Sequence, residues 1–209
     1  MVEEDLDACL DIYRANEARG LVPPHYEADF EADLTNGGTL FLTAILDGKI
    51  VACGGVFYGS PRLTEAYLCF GLVHPDHQRR KIGTRLLLAR LSLLDSALAQ
   101  PIRINLQATQ YSKSYFIKIG FAYVTSEYGA CGHLFEHYTL ILSSSLLRSC
   151  QESLAASGTL VSPEPEAPTA NEELSASQLV KGKLSMTRHF ATAFSTDVNS
   201  GQLCASHAL

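Results

Sequence analysis

A mixed α/β domain with a central sheet of about six strands, followed by a disordered tail, is the fold class this sequence predicts. Three observations predict it. Two β-rich runs, residues 40–46 and 50–57, are joined through Asp47-Gly48-Lys49, and Asp-Gly between apolar runs is a strong hairpin signal. A strand over 65–73, a turn, a helix over about 83–99 and a new strand over 102–108 make a strand-helix-strand unit, which implies parallel pairing through a right-handed crossover. From residue 143 onward the chain holds no tyrosine and only two phenylalanines, too little apolar surface to offset the entropy of ordering it.

The elements follow in order. Leu6, Cys9, Leu10, Ile12 and Tyr13 have helical spacing, with Glu3, Asp5, Asp7 and Asp11 on the polar side, where early acids also suit the helix dipole. Pro23-Pro24 interrupts, and residues 26–34 give a second short helix that stops at Asn36-Gly37-Gly38. Gly54-Gly55, inside the second hairpin strand, marks a bulge or a close backbone approach. The 65–73 run is apolar enough to lie centrally in the sheet, and the helix after it carries Leu87, Leu91, Leu94 and Leu98 on one stripe. A short helix over about 112–118 closes at Gly120-Phe121, and residues 122–127 and 137–142 give two more strands. The expected division is a domain over 1–142 and a largely disordered tail over 143–209, with a transient helix around 172–180.

Composition narrows the function classes. Hydrophobic residues make up 46% and charged residues 18%, ordinary values for a soluble globular chain, and no run of 18 apolar residues offers a membrane span. Met-Val-Glu-Glu-Asp is acidic where a secretory signal needs positive charge, so a cytoplasmic protein is expected. The six cysteines form no Cys-x-x-Cys pair, and Cys9, Cys53 and Cys69 lie in apolar segments where a reduced thiol packs as a small hydrophobe. The net charge of −6 is unevenly spread: residues 1–36 hold ten carboxylates against two arginines, whereas 37–142 hold ten Lys and Arg against six acids. One face therefore suits a polyanion and another a cation, while an acidic chain is a poor nucleic-acid partner.

The most informative stretch is Gln78-Arg79-Arg80-Lys81-Ile82-Gly83 at the start of the long helix. Unpaired N–H groups at a helix N-terminus accept an anion, and three cationic side chains beside them suit a diphosphate. His133-Leu134-Phe135-Glu136-His137 spells a zinc-protease signature, but it runs into a strand-like segment, where the histidines lose the helical chelating geometry; no metal site is expected. Nucleotide-hydrolase, dinucleotide and serine-hydrolase motifs are absent from the sequence.

Residues 73–87, Val-His-Pro-Asp-His-Gln-Arg-Arg-Lys-Ile-Gly-Thr-Arg-Leu-Leu, resemble the acetyl-CoA-binding motif of the GNAT superfamily of N-acetyltransferases, Gln/Arg-x-x-Gly-x-Gly/Ala. Gln78 and Gly83 match, and Lys81 stands at the first glycine. Tyr115-Phe116-Ile117-Lys118-Ile119-Gly120-Phe121 resembles the family's closing motif, so the likeness covers about residues 3–142. It implies a mostly antiparallel sheet, acetyl-CoA as acetyl donor and an amine, on a small molecule or a protein, as acceptor. Cofactor contacts are implied for Gly71, Leu72, Val73, Gln78, Arg79, Arg80, Lys81, Ile82, Gly83 and Thr84. Thr109 stands where the family has a cofactor-binding asparagine, and Phe116 where it has a proton-donating tyrosine, with Tyr115 one residue earlier. Glu65 and Tyr67, on the central strand, are the candidate base positions, and Tyr115 is the candidate donor to the departing thiolate. The first two helices wall the acceptor site in the family, and their Glu17, Glu27, Asp29, Glu31 and Asp33 favour a cationic amine. A catalytically degenerate acyl-CoA-binding or regulatory module is the alternative. Family members usually begin with a short strand before the first helix, whereas only Met1-Val2 precede it here; either that strand is lost or the chain is N-terminally shortened, and a lost edge strand would lower stability or leave an edge for a partner.

Overall fold

A computed structural model of the chain describes residues 3–35, 38–59, 64–94, 101–129, 132–162 and 184–189. Helices α1 (Glu3–Ala18) and α2 (Glu27–Thr35) precede strands β1 (Leu40–Leu46), β2 (Lys49–Tyr58) and β3 (Glu65–Val73). Helix α3 (Ile82–Ser92) leads to β4 (Ile102–Ala108), and α4 (Lys113–Ile119) to the hairpin of β5 (Ala122–Tyr128) and β6 (Leu134–Leu142). Beyond these come α5 (Ser144–Ala156), β7 (Leu160–Ser162) and β8 (Leu184–His189).

The strands form one sheet in the order β5-β6-β4-β3-β2-β1-β8-β7. Pairing is antiparallel except between β3 and β4, joined by the expected α3 crossover, and between β7 and β8. The mixed, mostly antiparallel six-stranded sheet is thus present as β1–β6, and two further strands extend it.

Those extra strands correct the expectation of an unstructured tail for residues 143–162 and 184–189. Sequence composition underrated them because their few apolar residues are placed with helical and strand periodicity. Ser143 caps α5 by accepting from the Leu146 N–H at 3.2 Å, and Leu147, Cys150 and Leu154 are buried. In β8, Leu184 and Met186 enter the core beside Leu42, Ala44 and Leu46. Strand β8 lies antiparallel along β1, so the edge expected to stand open is paired. The helix anticipated around 172–180 and the stripe position Leu98 lie outside the described residues; α3 itself ends at Ser92, earlier than predicted.

Helices α3, α4 and α5 cover one face of the sheet, burying Ala66, Leu68, Ile104, Leu106 and Tyr138 against Leu87, Leu91 and Leu147. Helices α1 and α2 cover the opposite, outer face only over β1–β3, where Cys9, Ile12, Tyr13, Phe30, Phe41, Cys53 and Leu72 pack together. Cys9 and Cys53 are fully buried, as the apolar spacing predicts, and Cys69 is partly buried. Among the described residues no helix is long and apolar enough to cross a membrane.

Candidate active site

The site begins where two parallel strands part. Strand β3 pairs with β4 through Glu65–Arg103, Ala66–Ile104, Tyr67–Asn105 and Leu68–Leu106, and the pairing stops there although both strands continue. The cause is a bulge. The register with β2 shifts between Cys53 and Gly55, so Gly54 opposes both Phe70 and Gly71, and Phe70 takes a left-handed φ of 42°. The bulge turns β3 away and opens a groove between residues 69–73 and the end of β4.

Arg90 of α3 fills the bulge from beneath. Its guanidinium donates from Nη1 to the carbonyls of Gly55 and Cys69, each at 3.3 Å, and the residue is 4% exposed. A Cβ on Gly71 would lie 2.7 Å from Arg90 Nη2, and one on Gly54 3.1 Å from its Cζ, so the two glycines make the socket. Among the described residues no carboxylate pairs with Arg90, and its Nε has no partner. Burial accordingly pulls its pKa down, against nearby Cys69, Tyr115 and Cys53, which pull it up.

At the end of β3, Pro75–His77 makes one 3-10 turn and the chain enters α3. Arg79 (φ 61°) and Lys81 (φ 62°) are both left-handed. Lys81 thus adopts the conformation a glycine would supply at that motif position, at a cost of about 1–2 kcal/mol for a side-chain-bearing residue. The first helical hydrogen bond runs from the Arg85 N–H to the Lys81 carbonyl at 3.1 Å, and the N–H groups of Arg79 to Thr84 bond to none of the described residues. Six consecutive N–H groups left free by the described residues, in a turn with left-handed residues, make a nest whose geometry suits an anion, beside the exposed side chains of Arg79, Arg80 and Lys81. A Cβ on Gly83 would touch only Val73 Cγ2 at 3.4 Å, so no protein atom demands glycine there.

Gln78 does different work from its neighbours. Its Nε2 donates to the Val73 carbonyl at 3.2 Å and to Asn16 Oδ1 at 3.2 Å, while Asn16 Nδ2 donates to Val73 O at 3.1 Å and Ile12 O at 2.8 Å. This latch ties α1, the end of β3 and the turn together. It also occupies the Val73 carbonyl, one of the main-chain groups expected at the cofactor. Sequence reading missed Asn16, whose only signal was an amide in the last turn of an amphipathic helix.

The remaining expected residues separate. Thr109 is half-buried and engaged locally: its N–H donates to Ser112 Oγ at 3.2 Å, and its hydroxyl lies 3.5 Å from the same atom. Phe116 packs against Tyr115 and Phe121. The Tyr115 hydroxyl is buried against Thr84 without a hydrogen bond of good geometry to the described residues. Burial pushes its pKa up, partly offset by Thr84 and Arg90, so it keeps its proton. Glu65 lies 3.9 Å from Arg103 at the paired end of β3, four residues from the opening, about 13 Å along the strand. Tyr67, nearer the opening, stacks on Phe57 at 5.3 Å. Glu136 and His137 face opposite sides of β6: Glu136 pairs with Lys113 at 2.8 Å and Tyr138 at 2.6 Å, and His137 with Glu127 at 2.9 Å.

A parallel pair forced apart by a bulge, with an anion nest at the groove's end, is matched by a family model for an acetyltransferase (GNAT) domain over residues 9–142. The chain belongs to the GNAT acetyltransferase family. Among solved structures, this GNAT chain resembles the ribosomal-protein-S18-alanine N-acetyltransferase from Escherichia coli at 20% identity and TM-score 0.55, over 68% of this chain and 91% of that one. Ard1 from Thermoplasma volcanium matches at 18% identity and TM-score 0.53, over 66% and 94%. An aminoglycoside 6′-N-acetyltransferase complexed with coenzyme A matches at 13% identity and TM-score 0.53, over 67% and 92%. Such identities establish a shared fold. No match was found among the curated proteins.

Proposed function

We propose that this GNAT-family chain transfers the acetyl group of acetyl-CoA to an amine by direct attack in a ternary complex. The observation that carries the reading is the run of six free N–H groups from Arg79 to Thr84 at the end of a groove between β3 and β4. A pyrophosphate fits the nest, and the pantetheine arm fits the unpaired edge of residues 69–73, in keeping with the coenzyme A held by a structural neighbour of the same fold. Acetyl-CoA supplies an activated thioester, and the protein's tasks are to hold it, to bring up a free amine and to return a proton to the thiolate. Tyr115, protonated and with no well-formed hydrogen bond among the described residues, is the donor for that last step. The cofactor set is Gly71, Leu72, Val73, Arg79, Arg80, Lys81, Ile82, Gly83 and Thr84, with Gln78 holding the turn in place and Thr109 at the far wall.

A cationic amine is the acceptor class the acidic N-terminal helices favour. Several of those acids already have partners: Glu27 pairs with Arg14 at 2.6 Å, and Glu17 accepts from the His25 N–H at 3.1 Å. The reading is tested by heating with acetyl-CoA and by thiol release over a panel of amines. Binding at a hundredfold above Kd adds about 2.7 kcal/mol of stability. No shift in melting point would refute the site. A shift without thiol release on any amine would favour a degenerate acyl-CoA-binding module, the reading supported by Phe116 and by the local bonding of Thr109.

A further inference from the structure

The outer face of β4, β6 and β5, which no helix among the described residues covers, carries an ordered set of polar side chains. Register and strand alternation place Glu65, Arg103 and Ile141 in one row, Tyr67, Asn105 and Thr139 in the next, and Gln107, His137 and Thr125 in the third. The third row is level with the parting of the strands, because Leu68–Leu106 is the last paired position of β3 and β4. Within it, His137 Nε2 lies 2.9 Å from Glu127 Oε1, and Gln107 Nε2 donates to the same oxygen at 3.3 Å. Both members of the His137–Glu127 pair are about a quarter exposed. The Thr139 hydroxyl in the neighbouring row is buried without a hydrogen-bond partner among the described residues. Above the far end of the face, Tyr26 from the α1–α2 connection meets Phe135 edge to face at 5.8 Å, forming an arch over the polar floor.

We infer that His137 is the group that takes the proton from the acceptor ammonium, with Glu127 as its positioning residue. This rests on the acetyltransferase reading above. With Nε2–H donating to the Glu127 carboxylate, the imidazole is held in the tautomer that leaves a lone pair on Nδ1. Gln107 steadies the same carboxylate from β4. The other charged groups on this face, Glu65 and Arg103, stand two rows away and beside each other. An ammonium seated over Gln107 lies between His137, one strand spacing of about 4.8 Å to one side, and the groove on the other. Nδ1 takes one proton from the ammonium, and the freed amine nitrogen bonds to the thioester carbonyl carbon. The C–S bond then breaks: Tyr115 gives its proton to the departing thiolate and regains one from the second N–H of the acceptor nitrogen, leaving a neutral amide and thiol. The imidazolium returns its proton to water. Sequence reading treated His137 only as half of a metal signature, because the partner that defines its role comes from the neighbouring strand.

The test uses the full chain, acetyl-CoA and a panel of benzylamine, spermidine, kanamycin and an alanine-initiated peptide. His137→Gln is expected to lower kcat/KM about 100-fold while acetyl-CoA affinity by calorimetry is unchanged. Its deficit should shrink between pH 7 and about 9.5, as more acceptor amine, whose pKa is near 10, arrives already deprotonated. Added imidazole should restore part of the rate to His137→Gly. Glu127→Gln, which keeps a partner for the ring, should lose about tenfold, and it carries the test if the histidine variants do not fold. Unchanged turnover in these variants would overturn the role of His137 and leave the acetyltransferase reading standing. A loss that is constant with pH and not rescued by imidazole would make His137 merely structural. Acetyl-CoA binding with no thiol release by the unaltered chain on any probe would overturn both.

Discussion

In its first four residues β3 is an ordinary central strand, paired to β2 on one side and β4 on the other, with Ala66 and Leu68 buried under α3. In its last five it keeps β2 and loses β4, takes a left-handed residue at Phe70, and rests on a buried cation. The second half, Cys-Phe-Gly-Leu-Val, is the more apolar of the two beside Glu-Ala-Tyr-Leu, so composition does not mark it as the half that loses a partner strand. The first half satisfies its backbone within the sheet and contributes to the core. The second leaves backbone groups unpaired, and Arg90, from outside the sheet, takes up its Cys69 carbonyl together with the Gly55 carbonyl of β2. A binding groove is thus made by withholding a partner strand, and the fold offsets that loss with one long basic side chain and two glycines.

Removing the cation should expose this difference most strongly. Arg90→Leu deletes two charge-assisted hydrogen bonds and leaves two carbonyls unpaired, partly compensated by relief of a buried charge. A net loss of about 3 kcal/mol is expected in denaturant unfolding, together with weaker acetyl-CoA binding. If stability is unchanged, the bulge supports itself and Arg90 is a passenger.

Gly83→Ala tests the nest without disturbing the bulge. The added methyl meets only Val73 at 3.4 Å, so stability should change by less than about 1 kcal/mol, while acetyl-CoA affinity falls about tenfold, roughly 1.4 kcal/mol. Lys81→Gly should act in the opposite sense on the fold. Relief of the left-handed φ should raise stability by about 1 kcal/mol, and loss of one cation should weaken the dependence of acetyl-CoA affinity on salt.

The smallest effect is confined to alkaline solution and concerns neither half of β3. Burial raises the pKa of Tyr13, which donates to the Pro23 carbonyl at 2.9 Å and so holds the α1–α2 connection, to about 12. Because the folded value lies above the ordinary 10, this contribution is complete below pH 10 and is lost as pH rises toward 12. A pH titration followed by tyrosinate absorbance and circular dichroism should show α1 loosening in that window, and Tyr13→Phe should remove the dependence. Loosening that begins near neutral pH would point to another group.

How much of this was legible beforehand varies from residue to residue. The hairpin of β1 and β2, the α3 crossover and the turn that opens α3 were all readable, since Asp47-Gly48, the leucine stripe and the Gln78 to Gly83 run act within a few residues of themselves. The left-handed conformation of Lys81 was not, since the sequence showed only that lysine stands where the motif has its first glycine. Asn16, Arg90 and His137 were not readable, because each takes its role from a partner far along the chain: Val73, the bulge carbonyls and Glu127. The tail misled because sparse apolar residues look insufficient until β1 offers an edge for β8 and α3 a surface for α5.

The sequence by itself determined the secondary elements up to residue 142, their order and the charge at the turn, because periodicity and turn chemistry are set by short-range sterics and hydrogen bonding. Only the tertiary structure decided where β3 leaves β4, which cation fills the gap, and which histidine stands level with the opening. Those are questions of register and distance between segments, and a one-residue shift in pairing, invisible in composition, would move every one of these groups to the other face of the sheet.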